Sequence, residues 1–501
     1  MDVLANLSLG FQTAMSVSNL LYCLLGVFLG TAVGVLPGIG PIATIAMLLP
    51  VTFGLPPVTS LIMLSGIYYG AQYGGSTTAI LINLPGESSS VVTALDGYRM
   101  ARDGKAGLAL ATAAIGSFIA GTVSTLLLAL FAPPLAELAL RFGPAEYFSL
   151  MVLGLVASIV LASGSLLHAL AMIVVGLALG LVGTDVNTGV SRYAFGMPQL
   201  ADGVGFVVVA MGVFGLAEII ANLETETERS ITIKRVTGLL PSREDWRRII
   251  GPIARGTVLG SALGILPGGG ALLASFASYS LEKKISRTPE RFGKGAIEGV
   301  AGPESANNAG AQTSFIPMLT LGIPANPVMA LMIGAMMIQG IQPGPSIVTE
   351  QAPLFWGLVV SMWIGNVFLL ILNLPLIGLW VRMISVPYHF LYPAILVFCA
   401  IGVFSLGNTT FDVFAMALFG LVGYIFQKLG CEPTPMLLGF VIGPMMEEFL
   451  RRALVLSDGN AAVLVTEPLS AALLAISAVL LGTVLVPAIR KKREETFVAE
   501  G

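Results

Sequence analysis

The chain is 501 residues long, 55% hydrophobic and only 11% charged, with a mean hydropathy of +0.89. Soluble domains carry about 25% charged residues, so most of this surface must face lipid rather than water. A net charge of −3 says little, and no nucleic-acid partner is expected; no Walker A string is present for ATP, and two His without HExxH or CxxC argue against a metal centre.

The apolar runs lack strict two-residue alternation, which predicts an all-α polytopic membrane protein rather than a barrel. The first Lys or Arg is Arg99, so the basic n-region of a signal peptide is missing and no cleaved leader is expected. Residues 20–50 predict a hairpin broken at Pro37-Gly38-Ile39-Gly40. Crossings follow near 60–95, 106–132, 145–163, 165–183 and 203–223. The polar stretch 224–255 is an expected cytoplasmic linker, because it carries Lys234, Arg235, Arg243, Arg247, Arg248 and Arg255. A second hairpin, 256–281, is broken at Pro267-Gly268-Gly269-Gly270. Crossings near 299–337, 354–375, 387–406, 411–428 and 435–457 come next. One extra helix, 469–488, leads to a basic tail, Arg490 to Arg493, which places the C-terminus in the cytoplasm. The expected domains are therefore 1–223, the linker 224–255, 256–457, and 458–501 with the extra helix.

The two halves repeat. Gly30–Gly40 is GTAVGVLPGIG and Gly260–Gly270 is GSALGILPGGG, identical at seven of eleven positions. GAQYGGSTTAILINLPG (70–86) and GAQTSFIPMLTLGIPA (310–325) follow in the same order. Loop charge then exchanges places. The loop after the first hairpin (52–60) has no Lys or Arg, whereas the one after the second (281–294) has five. The loop after the first GAQ segment (96–105) has three, and its counterpart (339–353) has none. Two inverted-topology repeats of about five crossings each predict that exchange.

Breaks at matched places in two halves are the sequence mark of a transport site. An interrupted helix survives in hydrocarbon only where protein or a wet cavity satisfies its backbone. Half-helix N-termini offer free N–H groups and a positive dipole end to an anion. The expected substrate contacts are Gly38, Gly40, Ser76, Thr77, Thr78, Gly268, Gly269, Thr313 and Ser314. The expected Na⁺ contacts are Gly38, Asn83, Gly270, Asn307, Asn308 and Asn326, through carbonyls and side-chain amides. Glu304, beside the Asn pair, is a candidate coupling carboxylate, and Glu87 is weighed with it. No Lys or Arg lies in these motifs, so backbone and hydroxyl donors must carry recognition. Small residues packing helices together are the structural alternative. Cys23, Cys399 and Cys431 read as core residues. Glu218 reads as a snorkelling side chain near a span end, and Glu447, Glu448, Arg451 and Arg452 as an interfacial charge cluster. Ser165 and His168 share a helix face but lack any oxyanion motif around them, so no enzyme is expected. An ion channel or ion-only antiporter on the same repeat remains the other functional reading.

PGIGP (37–41), YYGAQYGGSTTAILINLPGE (68–87), TALDGYRMARDGKAGLAL (93–110), LPGGG (266–270) and GPESANNAGAQTSFIPMLTLGIP (302–324) together resemble the large membrane subunit of the tripartite tricarboxylate transporters, the TctA family. The likeness spans nearly the whole chain. It implies a secondary transporter of the bacterial inner membrane that imports citrate or another carboxylate on a cation gradient, Na⁺ or H⁺, and binds no resident cofactor. It also implies two partners, a small four-helix membrane subunit and a periplasmic solute-binding protein.

Overall fold

An apolar segment inside a bilayer must pair its own backbone, and a helix does so locally. The computed structural model describes residues 3–36, 39–161, 165–185, 187–224, 236, 238–267, 270–384 and 388–485. Its first helices are α1 (Val3–Ala14), α2 (Val17–Gly34), α3 (Pro41–Leu48), α4 (Pro57–Ile82), α5 (Val91–Met100) and α6 (Ala106–Ala139). Next come α7 (Pro144–Leu161) and α8 (Leu166–Gly180), then a short hairpin of β1 (Gly183–Thr184) and β2 (Ser191–Arg192). A continuous helical run joins α9 (Phe206–Ala210) to α10 (Ala217–Glu224) through a π-type widening at Met211–Leu216. The second half holds α11 (Arg243–Gly264), α12 (Gly270–Ile285), α13 (Glu298–Thr313), α14 (Phe315–Leu321), α15 (Pro327–Ile338) and α16 (Ser346–Glu350). It continues with α17 (Ala352–Asn373), α18 (Ile377–Ile384), α19 (Tyr388–Gly407), α20 (Thr410–Lys428), α21 (Thr434–Leu456), α22 (Val463–Thr466) and α23 (Pro468–Leu485). Among the described residues, five helical runs are long and apolar enough to cross a membrane, including Phe206–Glu224, Ala352–Asn373 and Thr410–Lys428. The protein is an all-α membrane protein.

Matched elements choose matched neighbours. Helix α2 packs chiefly on α4, and α11 on α13; α6 lies on α13, and α17 on α4. Helix α8 packs on α21, and α20 on the widened α9–α10 run. Glycine makes the first of these pairs close. A Cβ at Gly30 would lie 2.2 Å from the Ile67 carbonyl oxygen, and one at Gly260 would lie 2.2 Å from that of Ala306. Gly26 and Gly34 repeat the contact a turn either side of Gly30, as Gly256 and Gly264 do around Gly260. Small residues every fourth position let membrane helices touch backbone to backbone, where dispersion rather than hydrophobicity supplies the attraction.

Helix α11 begins inside the polar stretch 224–255, at Arg243. Ser242 accepts from the Asp245 N–H at 3.2 Å while the Asp245 carboxylate accepts from the Ser242 N–H at 2.9 Å, so a reciprocal capping box starts α11 inside the polar stretch. Composition alone marked that stretch as linker, whereas the cap makes its second part helix. Residues 225–235 and the tail from 486 onward lie outside the described residues.

Side chains tie loop to loop. Asp96, fully buried in the middle of α5, accepts from the Gly295 and Ala296 N–H groups, both at 2.7 Å, and from the Tyr279 hydroxyl at 3.0 Å. These partners flank the basic stretch 281–294 on both sides, so Asp96 ties the start of 96–105 to its two ends. Gln339 donates to the Thr52 and Phe53 carbonyls at 3.3 and 3.4 Å, which joins the two loops without Lys or Arg. Arg255 grips Glu282 through two hydrogen bonds of 2.7 and 2.6 Å, closing the base of the α11–α12 pair. Arg451 bonds both Asp185, at 2.9 Å, and Glu447, at 2.6 Å, and Arg192 reaches Glu447 at 2.8 Å. That cluster pins the β1–β2 hairpin to α21.

Two outcomes test this packing. Gly30→Ala is expected to destabilise the detergent-solubilised protein by about 1–3 kcal/mol, as overpacking does, while Gly54→Ala, where a Cβ meets nothing within 4 Å, leaves the melting temperature unchanged. The second concerns acid. The Asn187 N–H first, then the Thr188 hydroxyl and Arg451, hold the Asp185 carboxyl at about 2, below its usual 3.8. A depressed folded pKa stabilises above the unfolded value and loses that contribution as pH falls through the folded one. Pepsin should therefore cut the 183–205 loop progressively faster between pH 4 and 2, relative to Asp185→Asn, which lacks the titrating group.

Candidate functional site

Four helix interruptions build the site. Helix α4 ends at Asn83, whose φ of +59° is left-handed, and the chain folds back through Leu84, Pro85 and Gly86. The return is tight: a Cβ on Gly86 would sit 2.4 Å from the Gly75 Cα, so two glycines are needed where backbone crosses backbone. In the second half α14 ends at Gly322, with φ +70°, and Asn326 caps α15 by accepting from the Met329 N–H at 2.9 Å. Helix α3 begins after Gly40 with Pro41 at its first position and no side-chain cap on its N–H groups. Helix α12 begins at Gly270.

These four ends surround one cavity of about 410 Å³. Gly40, Pro41 and Ala43 contribute the start of α3, and Gly270, Ala271 and Leu272 the start of α12. Asn326 and Pro327 bring the start of α15, and Pro85 to Ser89 the segment beyond the α4 break. Tyr68 and Gln72 of α4, Phe214 of the widened run, Glu218 of α10, and Glu432 and Thr434 at the start of α21 complete the wall. Among the described residues that line it, none is Lys, Arg or His. Helix N-termini supply the positive potential there. Three carboxylates, Glu87, Glu218 and Glu432, oppose it. Glu87 accepts from the Asn307 amide at 2.8 Å, and Glu218 accepts from Asn222 and Gln427, each at 3.4 Å. The Gln72 Oε1 is buried without a partner.

Behind α4 lies a second polar cluster. Glu304 is 1% exposed and accepts from Ser76 at 2.8 Å, Thr93 at 2.5 Å and Ser117 at 3.5 Å. Asn308 donates to Ser117 at 2.6 Å and to the Glu304 carbonyl at 3.0 Å. Neighbours on α13 thus serve different places, with Asn307 reaching Glu87 in the large cavity and Asn308 reaching the Glu304 cluster.

The residues singled out from sequence separate accordingly. Gly40, Gly270 and Asn326 line the large cavity. Ser76 and Thr77 line the small cavity beside Glu304 instead. Thr78, Thr313 and Ser314 are buried outside both cavities, and their hydroxyls bond back to Gly75, Ala309 and Ala311 in their own helices. Asn83 is exposed and terminates α4 without lining either cavity. Gly38, Gly268 and Gly269 lie outside the described residues. Ser165 stands at the N-cap of α8, while His168 turns to the Gly430 carbonyl at 3.4 Å. Phe214, Glu218, Glu432 and Thr434 were not named for the site; Glu218 was read as snorkelling, yet it forms part of the wall. The one local signal was its carboxylate in an otherwise apolar run.

Residues 20–438 match the model of the Tripartite tricarboxylate transporter TctA family. The chain belongs to the TctA family. This is a family of transport components rather than of enzymes. The chain is 64% identical over 500 residues, covering all of both, to an uncharacterized 52.8 kDa protein in the TAR-I ttuC' 3' region of Agrobacterium vitis. It is also 60% identical over 241 residues, 48% of this chain and all of the relative, to an uncharacterized protein in the TAR-II ttuC' 3' region of the same organism. No solved structure matches.

Cavity access is testable in this TctA-family chain. With Cys431 replaced by Ser, Ser88→Cys should react with a hydrophilic maleimide, because Ser88 is exposed and lines the large cavity. Thr78→Cys, at a fully buried position, should stay unlabelled until the protein is denatured.

Proposed function

We propose that this TctA-family chain is the transporting subunit of a secondary carrier that imports a tricarboxylate or related carboxylate on a cation gradient, Na⁺ being the favoured ion. The observation that carries the reading is the meeting of four helix interruptions at one cavity without a fixed positive side chain. An anion is met there by the N–H ends of α3, α12 and α15, with Gly40 and Gly270 letting it approach the backbone and Asn326 fixing the α15 end. With Glu87, Glu218 and Glu432 in the same wall, an incoming carboxylate gains from a bound cation, and that mutual gain is what couples two gradients.

Inverted-topology repeats in a bacterial inner membrane are part of the proposal. The matched helix pairings support it, as do the Asp96 contacts beside the basic loops and the Gln339 contacts between the uncharged ones. By the positive-inside rule the basic face, with the linker and the C-terminal tail, is cytoplasmic. On that reading Glu432, just before α21, and Glu218, six residues before the end of α10, lie toward the cytoplasmic face, and the large cavity opens to the cytoplasm. The solute-binding protein then delivers substrate from the periplasmic face, and a small four-helix subunit completes the membrane complex.

The test is reconstitution of the complex in liposomes. Labelled citrate and related carboxylates should accumulate against their gradients only with an inward Na⁺ gradient and the binding protein present. Asn326→Ala should raise KM severalfold, because the α15 end loses a cap worth about 1 kcal/mol. Passive ion flux without carboxylate accumulation would instead identify a channel.

A further inference from the structure

The Glu304 cluster encloses a second, much smaller cavity of about 10 Å³, lined by Tyr73, Ser76, Thr77, Ser117, Glu304 and Asn373 together with apolar side chains. That space is on the scale of one water or one bare ion, near the lower limit of about 10–15 Å³ for a single water. A carboxylate substrate or a hydrated ion does not fit. Its polar lining offers oxygen. The Tyr73 hydroxyl donates to Asn366 Oδ1 at 3.3 Å, Thr77 donates to the Tyr73 carbonyl at 3.0 Å, and Ser76 and Ser117 donate to Glu304. The Asn373 amide donates to the Leu369 carbonyl at 3.0 Å. With these protons directed at protein acceptors, the cavity is left facing lone pairs.

Two features call for a positive occupant. Glu304 is buried within the helices, and its side-chain partners are hydroxyls with no Lys, Arg or His in the lining. An unpaired buried carboxylate is strongly destabilising. Independently, Asn373 is 4% exposed and lines the cavity, and its Oδ1 is buried with no hydrogen-bond partner. A water would satisfy Asn373 and leave the carboxylate uncompensated. A cation satisfies both. One carboxylate is neutralised by a single charge, which favours a monovalent ion over a divalent one, and the volume favours Na⁺ over K⁺.

We propose that this cavity is a dehydrated Na⁺ site, with Glu304 and Asn373 Oδ1 as its principal ligands and hydroxyls of Ser76, Thr77, Ser117 and Tyr73 around them. The proposal deepens the cation half of the transport reading and rests on it only for the ion's physiological task. It moves the ion away from the hairpin breaks and behind α4. The link to the large cavity is the adjacent Asn307 and Asn308, which reach Glu87 and Ser117 respectively.

The experiment measures ²²Na⁺ binding and Na⁺-dependent melting on the purified full chain in nanodiscs, with choline as the reference salt and no carboxylate added. The wild type should bind Na⁺ saturably, with K⁺ a poor competitor. Glu304→Gln should abolish binding, and Asn373→Leu should weaken it by about tenfold, the lower range for disturbing a metal site. Glu350→Gln, at an exposed helix end that lines neither cavity, should bind as the wild type does. Ser117→Ala gives a milder second lesion should Glu304→Gln fail to fold. The proposal is overturned if folded Glu304→Gln or Asn373→Leu binds Na⁺ with wild-type affinity. It is equally overturned if the wild type binds no Na⁺ and is stabilised only by acid, which would mean a proton alone occupies Glu304. If Na⁺ binding follows the expected pattern while liposomes accumulate no carboxylate, the site stands and the transport reading fails.

Discussion

An unpaired backbone N–H or C=O in hydrocarbon costs several kcal/mol, and among the described residues four helix interruptions meet at one cavity of this membrane fold. The rest of the architecture answers that constraint. The interruptions after Gly34, Asn83, Gly264 and Gly322 are not scattered among lipid-facing positions. They are collected around one wet cavity, where exposed backbone is tolerated and useful. Long helices such as α6 and α17 pack against the helices that carry the breaks.

Collecting the breaks requires the helices that carry them to come unusually close. The glycine seams between α2 and α4, and between α11 and α13, do this by removing side chains where axes cross. Each hairpin is therefore mounted on the GAQ-bearing helix of its own half, and each GAQ-bearing helix is crossed by a long helix from the other half. The ion pair of exposed Arg255 with buried Glu282 and the hydrogen bonds to Asp96 then fix the ends. Backbone contact sets position, and side-chain hydrogen bonds set register.

The all-helical class and the places where helices stop were legible, because Pro, Gly and the left-handed residue Asn83 act locally. The directions of side chains were not. Helix α4 is buried from Thr59 to Leu81 on every face, so its sequence shows no amphipathic stripe to say which hydroxyl looks where. Ser76 and Thr77 consequently turned to the Glu304 cavity, and Thr78 to its own helix, although all three read alike in the string GGSTT. Glu218, Glu432, Phe214 and Thr434 come from segments distant in sequence, and only packing brings them to the wall. Asn307 and Asn308 illustrate the limit most sharply. One helical step, about 100° of rotation, sends two identical amides to different partners, Glu87 and Ser117.

The wall of the large cavity has a consequence for speed. A guanidinium or ammonium held in a dry site would grip an anion permanently and make its departure slow. Helix ends are weaker, at roughly half an elementary charge each, and three carboxylates stand against them. In the proposed carrier, an anion in this cavity is therefore held only as long as its companion cation stays. Once the cation leaves, electrostatics would favour expulsion, so the same wall that makes capture conditional would make release prompt.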